Sequence, residues 1–336
     1  MELGLGVGLY LDLAVSVDRN GADTWCNRAV FATTASVGAP PDDFNLNGQD
    51  WGLPPFVPDQ LRELAYAPFI EVLRENMREA GALRIDHVMG LMRLFWVPAG
   101  GTPAQGAYVG YPIDDLLGIV ALESQGNRCM VIGEDLGTVP DEVRTAMRER
   151  GMLSYRPLLF EKKQSGDFKP PAEYDRDALV AVTTHDLPTL AGYWNEADLA
   201  LRTELGLLGA DATGKAQAKA RAEDRARLLL ALQREGLLPD GASVDAASIS
   251  GITEGLICAI HAFLARTPSA VMVVQLEEVL GLIEQVNLPG CDPSRYPSWC
   301  RKIPLPVEAW PGHGRFQRLT AAIRQCMRKV QETLVL

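Results

Sequence analysis

Three stretches of the chain place acidic side chains directly after apolar runs: "ALRIDHV" (82–88), "VIGEDLG" (131–137) and "VTTHDLP" (182–188). The first carries Arg84, Asp86 and His87, the second Glu134 and Asp135, the third His185 and Asp186. A further acid, Asp18, follows an apolar run near the start, in "VSVDRNG" (15–21). Two carboxyl groups on either side of a glycosidic bond can split it. In the retaining version one attacks the anomeric carbon and the other, kept protonated, gives its proton to the leaving oxygen, the two about 5 to 5.5 Å apart. The attacking group must be ionised, which a guanidinium two residues away on the same strand face favours. The donor needs a raised pKa, which burial and neighbouring carboxylates supply. A third acid can bind sugar hydroxyls and offset the positive charge of the transition state.

Each acid alone has a plainer reading. A single strand-end aspartate is more often a helix cap or turn residue. Asp18 beside Asn20-Gly21, and the Glu134-Asp135 pair before "TVPDEV", both admit it. Capping does not explain why His87 and His185, two of the four histidines, adjoin strand-end aspartates. His261, in an apolar helical run, reads as structural, and His313 as a loop residue.

For these acids to meet, the elements bearing them must end at one rim. Six short apolar runs (8–15, 82–86, 129–135, 154–160, 179–186 and 269–275) are continuous and not alternating, as parallel strands covered on both faces are. Between them the pattern predicts one amphipathic helix over 59–80, stopped by Gly81. A second begins near Pro140 with Asp141 and Glu142 in its first turn and stops at Gly151; a third spans 215–236. This β-α alternation suits either a doubly wound sheet or a (β/α)8 barrel. "GLGVG" (4–8) precedes its strand, so it makes a poor phosphate loop. Polar residues at several strand C-termini favour the barrel. With six strands and not eight, the expectation is an incomplete (β/α)8 TIM barrel of the α/β class with helical insertions. It would be a single partial catalytic domain over 1–336, with a helical excursion at about 200–250.

Bulk properties narrow the function. A formal net charge of −11 leaves little to neutralise phosphates, which excludes nucleic acid, and it suits neither anionic membranes nor anionic ligands. Six scattered cysteines with no C-x-x-C pair fit neither a zinc site nor a disulfide scaffold; reduced thiols in a cytoplasm are the simplest reading. The apolar start carries Glu2 and Asp12 and has no basic n-region, so it reads as a buried strand and neither a signal peptide nor a membrane span.

Taken in order, "LRIDHVMGLMRLFWVP", "MVIGEDLGTVP" and "TTHDLPTLAGYW" resemble the catalytic segments of the 4-α-glucanotransferases (amylomaltases, or disproportionating enzymes) of glycoside hydrolase family 77, in the α-amylase clan. "ASVGAPPDDFNLNGQDWGLPP" (35–55) resembles the family's substrate loop. "NLPG" with "YPSWCRKIPLP" (287–306) resembles its C-terminal signature, so the likeness runs from about 8 to about 325. The resemblance implies that Asp86 is the nucleophile, Glu134 the general acid/base and Asp186 the transition-state stabiliser. Arg84 would hold the nucleophile ionised, and His87 and His185 would hydrogen-bond sugar hydroxyls. Asp18 would match a substrate-pocket aspartate on the family's third strand, Phe44 and Trp51 would face the glucan, and Gln49 and Asn287 would contact hydroxyls. Donor and acceptor would be maltooligosaccharides or other α-1,4-glucans, with no cofactor and no metal.

Two features depart from the family. Asp43 stands where many relatives have an aromatic residue, and the segment bearing the first two strands is absent, which agrees with the count of six. The expectation is a fragment, a partial gene product or a start at an internal methionine. The rival readings are an α-amylase-type hydrolase with water as acceptor and a non-catalytic glucan-binding remnant; a dehydrogenase finds no G-x-G-x-x-G opening a helix after a strand.

Overall fold

A computed structural model describes residues 5–41, 47–208, 212–245, 249, 251–292 and 294–334. The chain divides into two compact units, Met1–Tyr155 and Arg156–Leu336.

The first unit runs β1 (Tyr10–Leu13), α1 (Ala22–Cys26), β2 (Ala35–Ala39), β3 (Gln49–Asp50), α2 (Pro58–Glu63), α3 (Ala67–Met77) and β4 (Ala82–Ile85). It continues with β5 (Arg93–Pro98), β6 (Ala107–Gly110), α4 (Ile113–Asn127), β7 (Met130–Gly133), α5 (Asp141–Glu149) and β8 (Leu153–Pro157), whose last two residues fall in the second unit. Strands β1, β4, β7 and β8 are parallel and adjacent in that order. All of β4 is buried, as is β7 after its first residue, which is why both read as unbroken apolar runs. Leu73 and Met77 of α3, Leu117 and Val120 of α4, and Val143 and Met147 of α5 pack with Leu83, Ile85 and Val131 of the strands into one core.

Two features of this unit differ from the sequence reading. The stretch 59–80 is two helices. Ala65 and Tyr66 between them take left-handed φ values of 50° and 61°, and the Tyr66 N–H donates to the Leu61 carbonyl at 2.7 Å. That is a Schellman closure, which ordinarily recruits glycine. Pro68 then opens α3, where its fixed φ and missing N–H suit a first turn. The second difference is an antiparallel sheet ordered β3-β2-β5-β6, in a region without a clear alternating pattern.

The second unit contains β9 (Ala178–Ala181), α6 (Leu190–Trp194), α7 (Ala197–Glu204), α8 (Ala212–Arg234), α9 (Glu254–Leu264), β10 (Val271–Met272), α10 (Leu276–Leu280) and α11 (Gly314–Leu334). Fully buried β9 pairs in parallel with β10, Leu179 opposite Val271. Leu228, Leu229 and Leu232 of α8 face Ile257, Ile260 and Phe263 of α9 within a core that includes Val180, Leu190 and Trp194. His261 is buried in α9 with Nδ1 2.8 Å from the Ile257 carbonyl, a structural role. All six cysteines are free.

One buried acid governs the loop between β9 and α6. Glu278 of α10 is 1 % exposed, and both its oxygens accept the Leu190 N–H, at 2.9 and 3.0 Å. Burial pushes its carboxyl from the ordinary 4.5 up to about 8, against the pull of that N–H. The native state therefore binds a proton that the unfolded chain releases near 4.5. This contribution is complete at low pH and is lost as the pH rises towards 8. Glu278→Gln should flatten the decline in stability between those values, by on the order of a few kcal/mol. Urea unfolding at pH 5 and pH 8 checks this; an unchanged difference between the two would rule it out.

Candidate active site

In the first unit the register of the parallel strands builds the site. Ile85 lies opposite Gly133, and the next residues, Asp86 and Glu134, leave their strands side by side. The backbone ladder continues through both: Asp86 N–H donates to the Leu13 carbonyl and Glu134 N–H to that of Ile85, each at 2.9 Å. Adjacent strands are about 4.8 Å apart, so the two acids stand one strand spacing from each other at the C-terminal rim. Gly133 lets the chain arrive there: a Cβ on it would stand 2.6 Å from Met147 Cε and 2.9 Å from a Val88 methyl.

Arg84 lies two residues before Asp86 and on the same face. It is 5 % exposed and shared between two anions. Nη2 is 2.7 Å from Asp86 Oδ1, while Nη1 donates to both oxygens of Asp12 at 2.7 and 2.9 Å. Burial works against its charge, but Asp86 and Asp12 prevail and hold its pKa above the ordinary arginine range. A permanent cation at this distance favours the ionised form of Asp86.

Glu134 has the opposite setting. Burial pushes its carboxyl up to about 7, with the Asp86 charge adding to the rise; Arg84 and two backbone N–H groups pull the other way. Those groups fix its orientation, His87 N–H donating to Oε2 at 3.0 Å and Leu136 N–H to Oε1 at 2.9 Å. His87 takes a left-handed φ of 46° as the chain turns off β4 into the single turn Val88–Leu91. Non-glycine residues in this region cluster at functional sites. Burial lowers the His87 imidazole to about 4, so it is neutral at neutral pH. The edge of its ring meets Trp51, centroids 5.4 Å apart, and the Trp51 indole N–H donates to Gln49 Oε1 at 3.1 Å. A cavity of about 490 Å³ is lined by Asp12, Asp86 and His87, with Phe31, Phe56 and Tyr111 among its apolar walls.

Asp135 serves the scaffold. It is 1 % exposed, accepts the Tyr155 N–H at 2.9 Å and pairs with Arg144 of α5 at 3.1 Å. Asp18 is engaged in a turn, its Oδ1 accepting the Asn20 N–H at 2.6 Å and its carbonyl the Gly21 N–H at 3.0 Å. Phe44 lies outside the described residues.

In the second unit Asp186 and His185 follow β9 on a loop clasped by residues 278–287. Asn287 Nδ2 donates to Asp186 Oδ1 at 2.6 Å, and Gln285 Nε2 donates to the Asp186 carbonyl at 3.0 Å. Asn287 N–H donates to the His185 carbonyl at 3.1 Å, and the Thr189 hydroxyl to that of Leu282 at 2.7 Å. His185 Nε2 lies 3.2 Å from Asp186 Oδ2. The Asn287 amide is thus turned to the carboxylate.

Sequence reasoning missed Asp12 and Gln285. Asp12 left one signal, an acid within an apolar run; the register puts it opposite Arg84, whose buried guanidinium needs an anion. Gln285 left none, because its amide serves backbone carbonyls, one of them that of Asp186, 99 residues away. The geometry predicts that Arg84→Lys, whose ammonium cannot fork between Asp12 and Asp86, will fold but slow any reaction at Asp86 by on the order of 10²-fold. Thermal melting and turnover of the variant check this, and an unaltered rate would refute it.

The sequence profile of a family described as 4-alpha-glucanotransferase matches residues 3–306. The 4-alpha-glucanotransferases of Haemophilus influenzae and Mycobacterium bovis are each 43 % identical to the chain, over 306 and 311 residues. Each alignment covers 91 % of this chain but 43 % and 41 % of the relative, so the chain spans less than half their length. A crystal structure of amylomaltase from Corynebacterium glutamicum matches with a TM-score of 0.89 and 36 % identity, over 96 % of this chain and 47 % of that one. An amylomaltase from Streptococcus agalactiae in complex with acarbose, 17 % identical, shares the fold, with a TM-score of 0.70 over 96 % of this chain and 58 % of its own. These likenesses establish the α/β class, consistent with an incomplete (β/α)8 barrel.

Proposed function

The chain belongs to the 4-alpha-glucanotransferase family, glycoside hydrolase family 77, and from that premise we propose that it moves α-1,4-glucan segments between maltodextrin chains by a retaining double displacement. Asp86 Oδ attacks the anomeric carbon of a bound donor as Glu134 passes its proton to the departing glucan oxygen. This leaves a glycosyl ester on Asp86 and releases the shorter glucan. The 4-hydroxyl of a second glucan then gives its proton to Glu134 and attacks the same carbon, expelling Asp86. Asp186 offsets the positive charge of each transition state, and His87 and His185 bind sugar hydroxyls. Asp18 and Gln49 are further pocket residues, and Phe44 and Trp51 are faces for the glucan. The bond made equals the bond broken, so no energy source is required.

The observation that carries this reading is the in-register pair Asp86 and Glu134, one beside a permanent cation and the other raised to about 7. That division of roles is what a retaining pair requires. Donor and acceptor are neutral sugars, which suits a net charge of −11. No helix among the described residues is long and apolar enough to cross a membrane, and free thiols suit the cytoplasm. Incubation with maltotriose tests the proposal. Glucose together with longer oligosaccharides is the expected result. Reducing ends that accumulate without longer products would mean hydrolysis, and no products would mean a glucan-binding remnant.

A further inference from the structure

Trp299 stands out from its surroundings in three ways. Its φ of 61° lies in the left-handed region, where glycine is at home and a bulky side chain is strained. It is 63 % exposed, although an indole is among the largest apolar groups a fold can bury. Its ring lies 5.0 Å from the His185 ring, at an interplanar angle of 51°.

The surrounding loop fixes this position. Trp299 N–H donates to the Val286 carbonyl at 3.0 Å, Leu288 N–H to Ser298 Oγ at 3.1 Å, and the Tyr296 hydroxyl to the Gln285 carbonyl at 2.5 Å. The loop bearing Trp299 is therefore laced to the segment whose Asn287 amide holds the Asp186 carboxylate. A backbone held in this region costs the free protein stability and gathers at functional sites. Here it turns an open indole face beside the His185 ring.

We propose that Trp299 is the aromatic wall of a sugar subsite beside His185 and Asp186. Its indole packs against the apolar C–H face of a glucosyl unit, while the imidazole and the carboxylate take hydroxyls at that unit's edge. The ligand class is a neutral hexopyranose within an α-1,4-glucan. The subsite rests on the glucan reading above and adds a specificity-determining residue to it.

The test titrates maltotriose into the full chain by calorimetry, in an Asp86→Asn background so that the ligand is not consumed. Trp299→Phe, Trp299→Ala and Trp299→Gly are compared, each with a thermal melt. Phenylalanine keeps an aromatic face and should bind within about threefold of the parent, whereas alanine and glycine should weaken binding about tenfold or more. The glycine variant should melt no lower than the parent, because glycine accepts a φ of 61° without strain. A purely structural ring gives the reverse, a glycine variant that melts lower and binds unchanged, and that overturns the proposal. So does parental affinity in both truncations, or a phenylalanine variant as weak as alanine. A parent that binds no maltotriose fails the glucan reading and the subsite together; a parent that binds, with truncations that bind equally, fails the subsite alone.

Discussion

Changing Asp86 to asparagine is expected to lower glucan redistribution by on the order of 10⁴-fold or more, because the amide cannot form the ester on which both proposed half-reactions depend. The substitution is almost isosteric. The backbone bond from Asp86 N–H to Leu13 does not involve the side chain, and an amide oxygen can still accept from Arg84. The variant should therefore fold and melt close to the parent, so that loss of rate reports chemistry. Chromatography of maltotriose digests is the measurement. A variant that still lengthens the oligosaccharide would exclude Asp86 as the nucleophile.

Replacing Glu134 by glutamine should cost about 10²- to 10⁴-fold with a glucan donor, whose alkoxide cannot leave unprotonated. The loss should depend on the leaving group. A maltosyl fluoride needs no proton from the enzyme, so the first half-reaction should recover; the second still lacks its base. The glycosylated enzyme should then accumulate and appear in the intact mass. The same residue sets a pH dependence. As the proposed acid, Glu134 must be protonated in the free enzyme, and burial raises it to about 7, so kcat/KM should fall as the pH rises through about 7. In Glu134→Gln that alkaline limb should disappear. An unchanged limb would assign it to another group.

Much of this site could be read in the primary structure because parallel strands buried on both faces leave no alternation to hide polar residues. Arg84, Asp86 and Glu134 interrupt otherwise apolar text where β4 and β7 end. The antiparallel sheet was opaque for the opposite reason. Its members are short, and β2, "ASVGA", and β3, "QD", contain too few residues to display a period. The break between α2 and α3 was obscured because Ala65 and Tyr66, which take the left-handed turn, are not the residues that announce one; Pro68 was the available clue. Trp299 falls in the same class, a tryptophan where backbone geometry would ask for glycine. Asn287 came from family likeness alone, and its grip on Asp186 required coordinates.

The sharing of Arg84 between Asp12 and Asp86 has a consequence for the proposed covalent intermediate. In the resting protein one guanidinium serves two carboxylates. Once Asp86 becomes an ester its negative charge is gone, and an arginine with that single partner would be left as a lone cation in a dry place. Asp12 forestalls this: the trio passes from one surplus negative charge to electrical neutrality, so esterification of Asp86 leaves no ion stranded. Removing Asp12 would therefore burden the glycosylated form more than the resting one.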